Sequence, residues 1–202
     1  LRREEKSINL GEQMFTIGLW AGQESTPNNY STAYEKFRTA REDPEPENMF
    51  QLQGCPWCGT QIIPKKFQDD DDAYGIRSSN TSFSFFCPSW SCDFNKLLPI
   101  QVVDEALYSS PPTLLIGTID KFARVTWVEN AANFFGNGKT LPPSLIIQDE
   151  LHLISGPLGT IAGIYEAGFD TIIEVLGRKP KIIAATATIR AANLQCQRLF
   201  GR

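Results

Sequence analysis

Apolar runs and amphipathic stretches alternate along this chain. Residues 14–20 form an apolar run that predicts a strand. Residues 31–41 place Ala33, Tyr34 and Phe37 on one side at helical spacing, which predicts a helix. Apolar runs near Leu114, Ile146 and Ile182, with a return at 101–103, predict further strands. Between the last two, Ile161, Ile164, Tyr165, Phe169, Ile172, Ile173 and Leu176 recur at helical spacing; Gly177 stops that helix and Pro180 follows. Strand, helix, strand is a βαβ unit, and its strands run parallel. The expected class is therefore α/β. Residues before Met14 read as the end of an exposed helix, and the acidic, proline-rich 41–48 as a linker. Ser82-Phe83-Ser84-Phe85 alternates like one more strand.

The run Leu145-Ile146-Ile147-Gln148 ends in Asp149-Glu150-Leu151-His152, and His152 is the single histidine. A buried parallel strand carries such residues to the rim where open α/β sheets bind ligands. Two adjacent carboxylates there suit nucleotide hydrolysis. Asp149 would hold Mg²⁺ against phosphate oxygens, and Glu150 would orient or deprotonate the attacking water. A buried strand ending in an acidic turn is the plain alternative. The next strand leads into Ala185-Thr186-Ala187-Thr188, so the Thr186 and Thr188 hydroxyls are expected at the same edge. There they would bond a carboxylate or the imidazole, cap the next helix, or both. Pro111-Pro112-Thr113 precedes the strand at Leu114, with a helix start at Thr118. A nucleic-acid phosphate could sit at that helix N-terminus, assisted by Lys121; on chemistry alone an ordinary capped helix with a solvated lysine is the simpler reading.

The cysteines form a separate constellation, C-x2-C-x28-C-x4-C, from Cys55, Cys58, Cys87 and Cys92. The tight turn Cys55-Pro56-Trp57-Cys58-Gly59 aims two thiolates at one point, and a second pair completes a tetrahedral, closed four-cysteine zinc site of structural type. Disulfides are the alternative, and they do not suit a cytosolic protein. Cys196 reads as a buried apolar side chain. Asp69-Asp70-Asp71-Asp72 reads as a solvated loop tip, with a Ca²⁺ site as the other possibility. The dense aromatics Trp57, Phe83, Phe85, Phe86, Trp90 and Phe94 read mainly as a ribbon core, with a few able to stack on bases.

Composition narrows the picture. The chain has 202 residues, 42% hydrophobic, with a net charge of −4. That suits one domain, or one domain plus a small insert. It argues against a globally basic nucleic-acid glue, though not against a local basic groove. No apolar run is long enough for a membrane span and the start is charged, so a cytoplasmic protein without membrane contact is expected. The chain begins at Leu1, which suggests a piece of a longer polypeptide.

Asp149-Glu150-Leu151-His152 resembles the DExH box, motif II, of superfamily 2 helicases. Ala185-Thr186-Ala187-Thr188 resembles their motif III, and Gly117-Thr118-Ile119-Asp120-Lys121-Phe122 stands where motif Ib would. The wording is closer still to the helicase-like large subunit of the bacterial DISARM anti-phage defence system. Ile17-Gly18-Leu19-Trp20, Ser25-Thr26-Pro27-Asn28, Pro111-Pro112-Thr113, the stretch from Ile147 to Gly159, and Leu199-Phe200-Gly201-Arg202 carry that likeness.

The resemblance implies a RecA-like parallel sheet, the partial first lobe of a helicase. Residues 1–50 would be its N-terminal part and linker, 51–98 an inserted zinc ribbon, and 99–202 the remainder with motifs Ib, II and III. It implies an ATP-dependent helicase or translocase with Mg²⁺ and ATP as cofactors, beside the structural Zn²⁺ that the cysteine spacing predicts. DNA, ATP and a second defence subunit would be its partners. Asp149, Glu150, His152, Thr186 and Thr188 would be catalytic, Asp149 would bind Mg-ATP, and His152 with the threonines would couple hydrolysis to strand movement. Thr118, Asp120, Lys121, Gly18 and Thr26 would face the nucleic-acid backbone.

No phosphate-binding G-x-x-x-x-G-K-[ST] loop precedes Asp149. Gly136-Asn137-Gly138-Lys139-Thr140 has Asn133 where the first glycine should stand and runs into Leu141-Pro142-Pro143, so it reads as a surface turn. The chain alone is therefore expected not to hydrolyse ATP. Two other classes stay open: a nucleic-acid-binding zinc module on an inactive lobe, and a scaffold whose ribbon docks a partner subunit.

Overall fold

The computed structural model describes residues 11, 13–123, 125–136, 140–154, 156–186 and 192–200. The exposed helix expected before Met14 lies largely outside them, as do Thr188 and the centre of the Gly-Lys-Thr turn. The fold is mixed α/β, with parallel strands flanked by helices. Contacts divide it into two units: Ser25–Leu107 with Leu1–Leu19 and Pro112–Ile116, and Gly117–Arg202 with Trp20–Glu24 and Tyr108–Pro111.

The first unit holds β1 (Ile17–Trp20, its last residue assigned to the second unit), α1 (Tyr30–Glu42), β2 (Ile76–Ser79), β3 (Ser82–Phe85) and β4 (Ile100–Gln101). α2 (Asp104–Ser109) and β5 (Leu114–Gly117) begin in it. Sheet order is β4-β1-β5, and β1 pairs with β4 in parallel, Ile17 opposite Ile100. Asn29 caps α1 by accepting from the Thr32 N–H at 2.8 Å. β2 and β3 form an antiparallel pair, Ile76 opposite Phe85. β2 gives no sequence signal, because Ile76-Arg77-Ser78-Ser79 has one apolar residue.

The ribbon segment has no core of its own. Cys55, Cys87, Cys92, Phe50, Ile62, Tyr74, Phe83, Phe85 and Leu98 share one cluster with Ala33 and Ala40 of α1 and with Val102, Val103 and Ala106. The boundaries expected at 50/51 and 98/99 fall inside this cluster. The acidic run is exposed as expected, but it is also tethered. Asp70 accepts from the Asp72 N–H, and Asp71 pairs with Arg41 of α1. Arg41 lies over the Tyr74 ring, 4.4 Å from its centroid.

The second unit contains α3 (Ile119–Ala123), β6 (Leu145–Gln148), α4 (Gly156–Val175), β7 (Lys181–Ala184) and α5 (Ala192–Phe200). β6 and β7 pair in parallel in the expected βαβ order, with Gln148 opposite Ala184. Trp20 sits among Tyr108, Phe122 and Phe134, its indole N–H donating to the Tyr108 hydroxyl at 3.1 Å. Leu151, Ile154, Ala162 and Leu199 form a second cluster, with Cys196 packed on it. Burial is thinner than the apolar runs suggest. Leu145 and Ile147 of β6 are 45% and 61% exposed, although the apolar run predicts a buried strand. On α4, Ile173 is buried, but Ile161, Ile164 and Ile172 are exposed. Among the described residues no helix is long and apolar enough to cross a membrane.

Candidate functional site

Two constellations carry chemistry. In the first unit, two tight turns bring four cysteines together. Cys55 accepts from the Gly59 N–H at 2.8 Å and donates its own N–H to Thr60 at 2.7 Å, and Gly59 closes the turn at φ +79°, where a side chain would strain. The second turn is held by the Cys87 N–H to Phe94 and the Cys92 N–H to Ser89, at 2.8 and 3.0 Å. All four sulfurs lie within 4.8 Å of one another, with Cys55 to Cys92 at 3.9 Å and Cys58 to Cys87 at 3.4 Å. Disulfide sulfurs would stand about 2.05 Å apart, so these cysteines are unbridged. A tetrahedral thiolate site with bonds of about 2.3 Å spaces its sulfurs by just under 4 Å. The arrangement can hold a structural metal, and a set of four soft thiolates suits zinc. Cys58 is the exposed member; the Thr60 hydroxyl against its sulfur lowers its pKa to about 6, whereas burial pushes Cys87 up to about 12.

In the second unit, β6 delivers Asp149 and Glu150 to the carboxyl end of the β6–β7 pair, and both are exposed. The ladder continues past the strands: the Ala185 N–H donates to Gln148 at 2.8 Å, and the Leu151 N–H to Ala185 at 2.9 Å. The segments around Asp149 and Thr186 are thus joined through main chain, and Thr186 is exposed. Asp149 Oδ1 accepts the Glu150 N–H at 2.9 Å. Glu150 has φ 52° and ψ 41°, the only positive φ outside glycine among the described residues. A tight turn, Leu151–Leu153, follows and carries His152. His152 Nδ1 lies 3.2 Å from Glu150 Oε2, an ion-pair distance when the ring is protonated, yet it makes no well-aligned hydrogen bond.

Among the residues expected to face nucleic acid, Thr118 and Asp120 are exposed. Lys121, expected to be solvated, is 4% exposed, with Nζ 5.9 Å from the Trp20 ring centroid. In the first unit Thr26 is fully buried. A Cβ on Gly18 would lie 2.5 Å from Leu107 and 2.6 Å from Pro112, so that glycine answers a packing need. α3 spans five residues, too short for the helix N-terminus to act as an anion site of weight.

Sequence reasoning missed Gln195. Its side-chain amide donates to the Leu151 and Ile154 carbonyls at 2.9 and 2.7 Å. A polar residue within an amphipathic helix gives no signal of such a contact.

No protein-family model matches the chain. The chain is similar to the DISARM protein DrmA of Bacillus paralicheniformis, 35% identical over 244 residues. The match takes in 98% of the chain, which spans about a fifth (21%) of that relative's length.

Proposed function

We propose that this chain is part of an ATP-dependent superfamily 2 nucleic-acid motor acting in a DISARM-type anti-phage defence system. The similarity to DrmA along nearly the whole chain supports the defence role. The observation that carries the motor reading is the pair of exposed carboxylates at the carboxyl end of a parallel strand, hydrogen-bonded through backbone to the Ala185-Thr186 segment. Two hard oxygen donors fit magnesium, which when bound would neutralise charge on nucleotide phosphates. Asp149 would hold that ion, and Glu150 would accept the proton of the attacking water. His152 and Thr186 stand beside that edge to couple turnover to movement, a role proposed also for Thr188. Thr118 and Asp120 would meet the nucleic-acid strand, DNA in the first instance. The sulfur cluster would hold zinc and fix the first unit, with no part in turnover.

The test is ATP hydrolysis, with and without single-stranded DNA, by a polypeptide long enough to add a phosphate-binding loop and second lobe. The Glu150→Gln variant should lose the DNA-stimulated rate. An intact, metal-loaded wild type without turnover rejects the motor. One observation favours a docking module instead: Trp57 and Trp90, one on each cysteine turn, are 67% and 87% exposed. On that reading Trp90→Ala weakens partner binding and leaves the melting temperature unchanged.

A further inference from the structure

The turn that follows the two carboxylates is held from outside by one side chain. A primary amide nitrogen carries two hydrogens, so Gln195 can satisfy the Leu151 and Ile154 carbonyls together. Those carbonyls lie at the two ends of the turn, and Leu151 also accepts from the Ile154 N–H at 3.0 Å. The Leu151 N–H is committed to Ala185. Glu150 enters the turn in a left-handed conformation that its own side chain does not favour, and His152 sits at its centre. Surrounding contacts must over-determine such a conformation for it to persist. Leu151, Ile154 and Leu199 supply apolar packing, which is non-directional. The two bonds from Gln195 supply direction.

We propose that Gln195 is a positioning residue. Through the turn it fixes where the Glu150 carboxylate and the His152 imidazole stand, and so sets the rate of hydrolysis. The rate part rests on the function proposed above; the placement part does not. Gln195 touches neither nucleotide nor water in this scheme.

Gln195→Leu removes both donors at similar volume, and Gln195→Asn keeps the amide but is one methylene short of the carbonyls. In the longer polypeptide each should lower kcat for DNA-stimulated hydrolysis by about tenfold or more, against roughly 10²-fold for a 1 Å misplacement of a reacting group. KM for ATP should not change. A second readout needs no activity. His152 is the only histidine, so its ring C–H signals in the NMR spectrum of the chain are assigned without ambiguity. They should move in both variants. If Gln195→Leu does not fold, Gln195→Asn is read in its place. A wild-type kcat in a folded variant overturns the proposal, as does a fall in kcat matched by a rise in KM, or an unmoved imidazole signal. If the wild type itself does not hydrolyse ATP, the motor reading fails, and the imidazole signal alone decides whether Gln195 positions the turn.

Discussion

Removing the metal should unfold the first unit. Cys55, Cys87 and Cys92 are 2%, 1% and 7% exposed, and they belong to the cluster that also holds Ala33 and Ala40 of α1, Tyr74, Phe85 and Val103. Without a metal, each buried thiolate would need to take up a proton or stay charged in an apolar site, and the two turns would lose their common anchor. Structural zinc contributes about 10–16 kcal/mol of apparent binding energy in small zinc domains. Whole domains are stable by only about 5–15 kcal/mol. The metal term is therefore as large as the net stability, and the unit should not stay folded without it. The assay is metal content together with amide hydrogen exchange of α1, β2 and β3, before and after a strong chelator. We expect about one zinc per chain, loss of protection in all three elements on chelation, and the same loss in Cys87→Ser. Cys196→Ser, outside the cluster, should keep the metal. A chelated, metal-free chain that retains protection and a cooperative unfolding transition would refute the reasoning.

Two further outcomes follow from backbone and packing. Glu150→Gly should stabilise the chain slightly and Glu150→Val destabilise it, with a spread of about 1–2 kcal/mol in chemical denaturation, because Glu150 sits at φ 52°; a flat series would mean that the left-handed conformation carries no strain. Gly18→Ala should cost about 1–3 kcal/mol, since its Cβ would meet Leu107 at 2.5 Å and Pro112 at 2.6 Å. An unchanged melting temperature with weakened DNA binding would instead make Gly18 a nucleic-acid contact.

The parts of the fold that sequence made legible are those with a strong period. The β6–α4–β7 order followed from two apolar runs and a helical repeat between them, and the cysteine cluster followed from spacing, because few chemistries other than metal binding need four thiols in such turns. What stayed hidden depends on distant partners. Nothing local marks β2, whose polar residues are recruited by pairing with β3. Nothing local announces that Arg41 would tie down the acidic run, or that the ribbon would share its core with α1. Lys121 read as solvated because lysine usually is; the ring beside it comes from Trp20, far away in sequence. At the carboxylate edge the sequence supplied the residue types but not the left-handed Glu150 or the hold of Gln195. The left-handed residue lies where β6 passes into a tight turn, and the hold arises where that turn meets a helix much later in the chain.

The central claim is that Asp149 and Glu150 divide the work of nucleotide binding and hydrolysis. Its most direct test compares Asp149→Asn and Glu150→Gln in the longer polypeptide, measuring magnesium-dependent ATP binding and turnover side by side. The account predicts that Asp149→Asn loses magnesium-dependent binding, whereas Glu150→Gln still binds ATP but falls by about 10²–10⁴-fold in turnover. Wild-type turnover in both variants would contradict it.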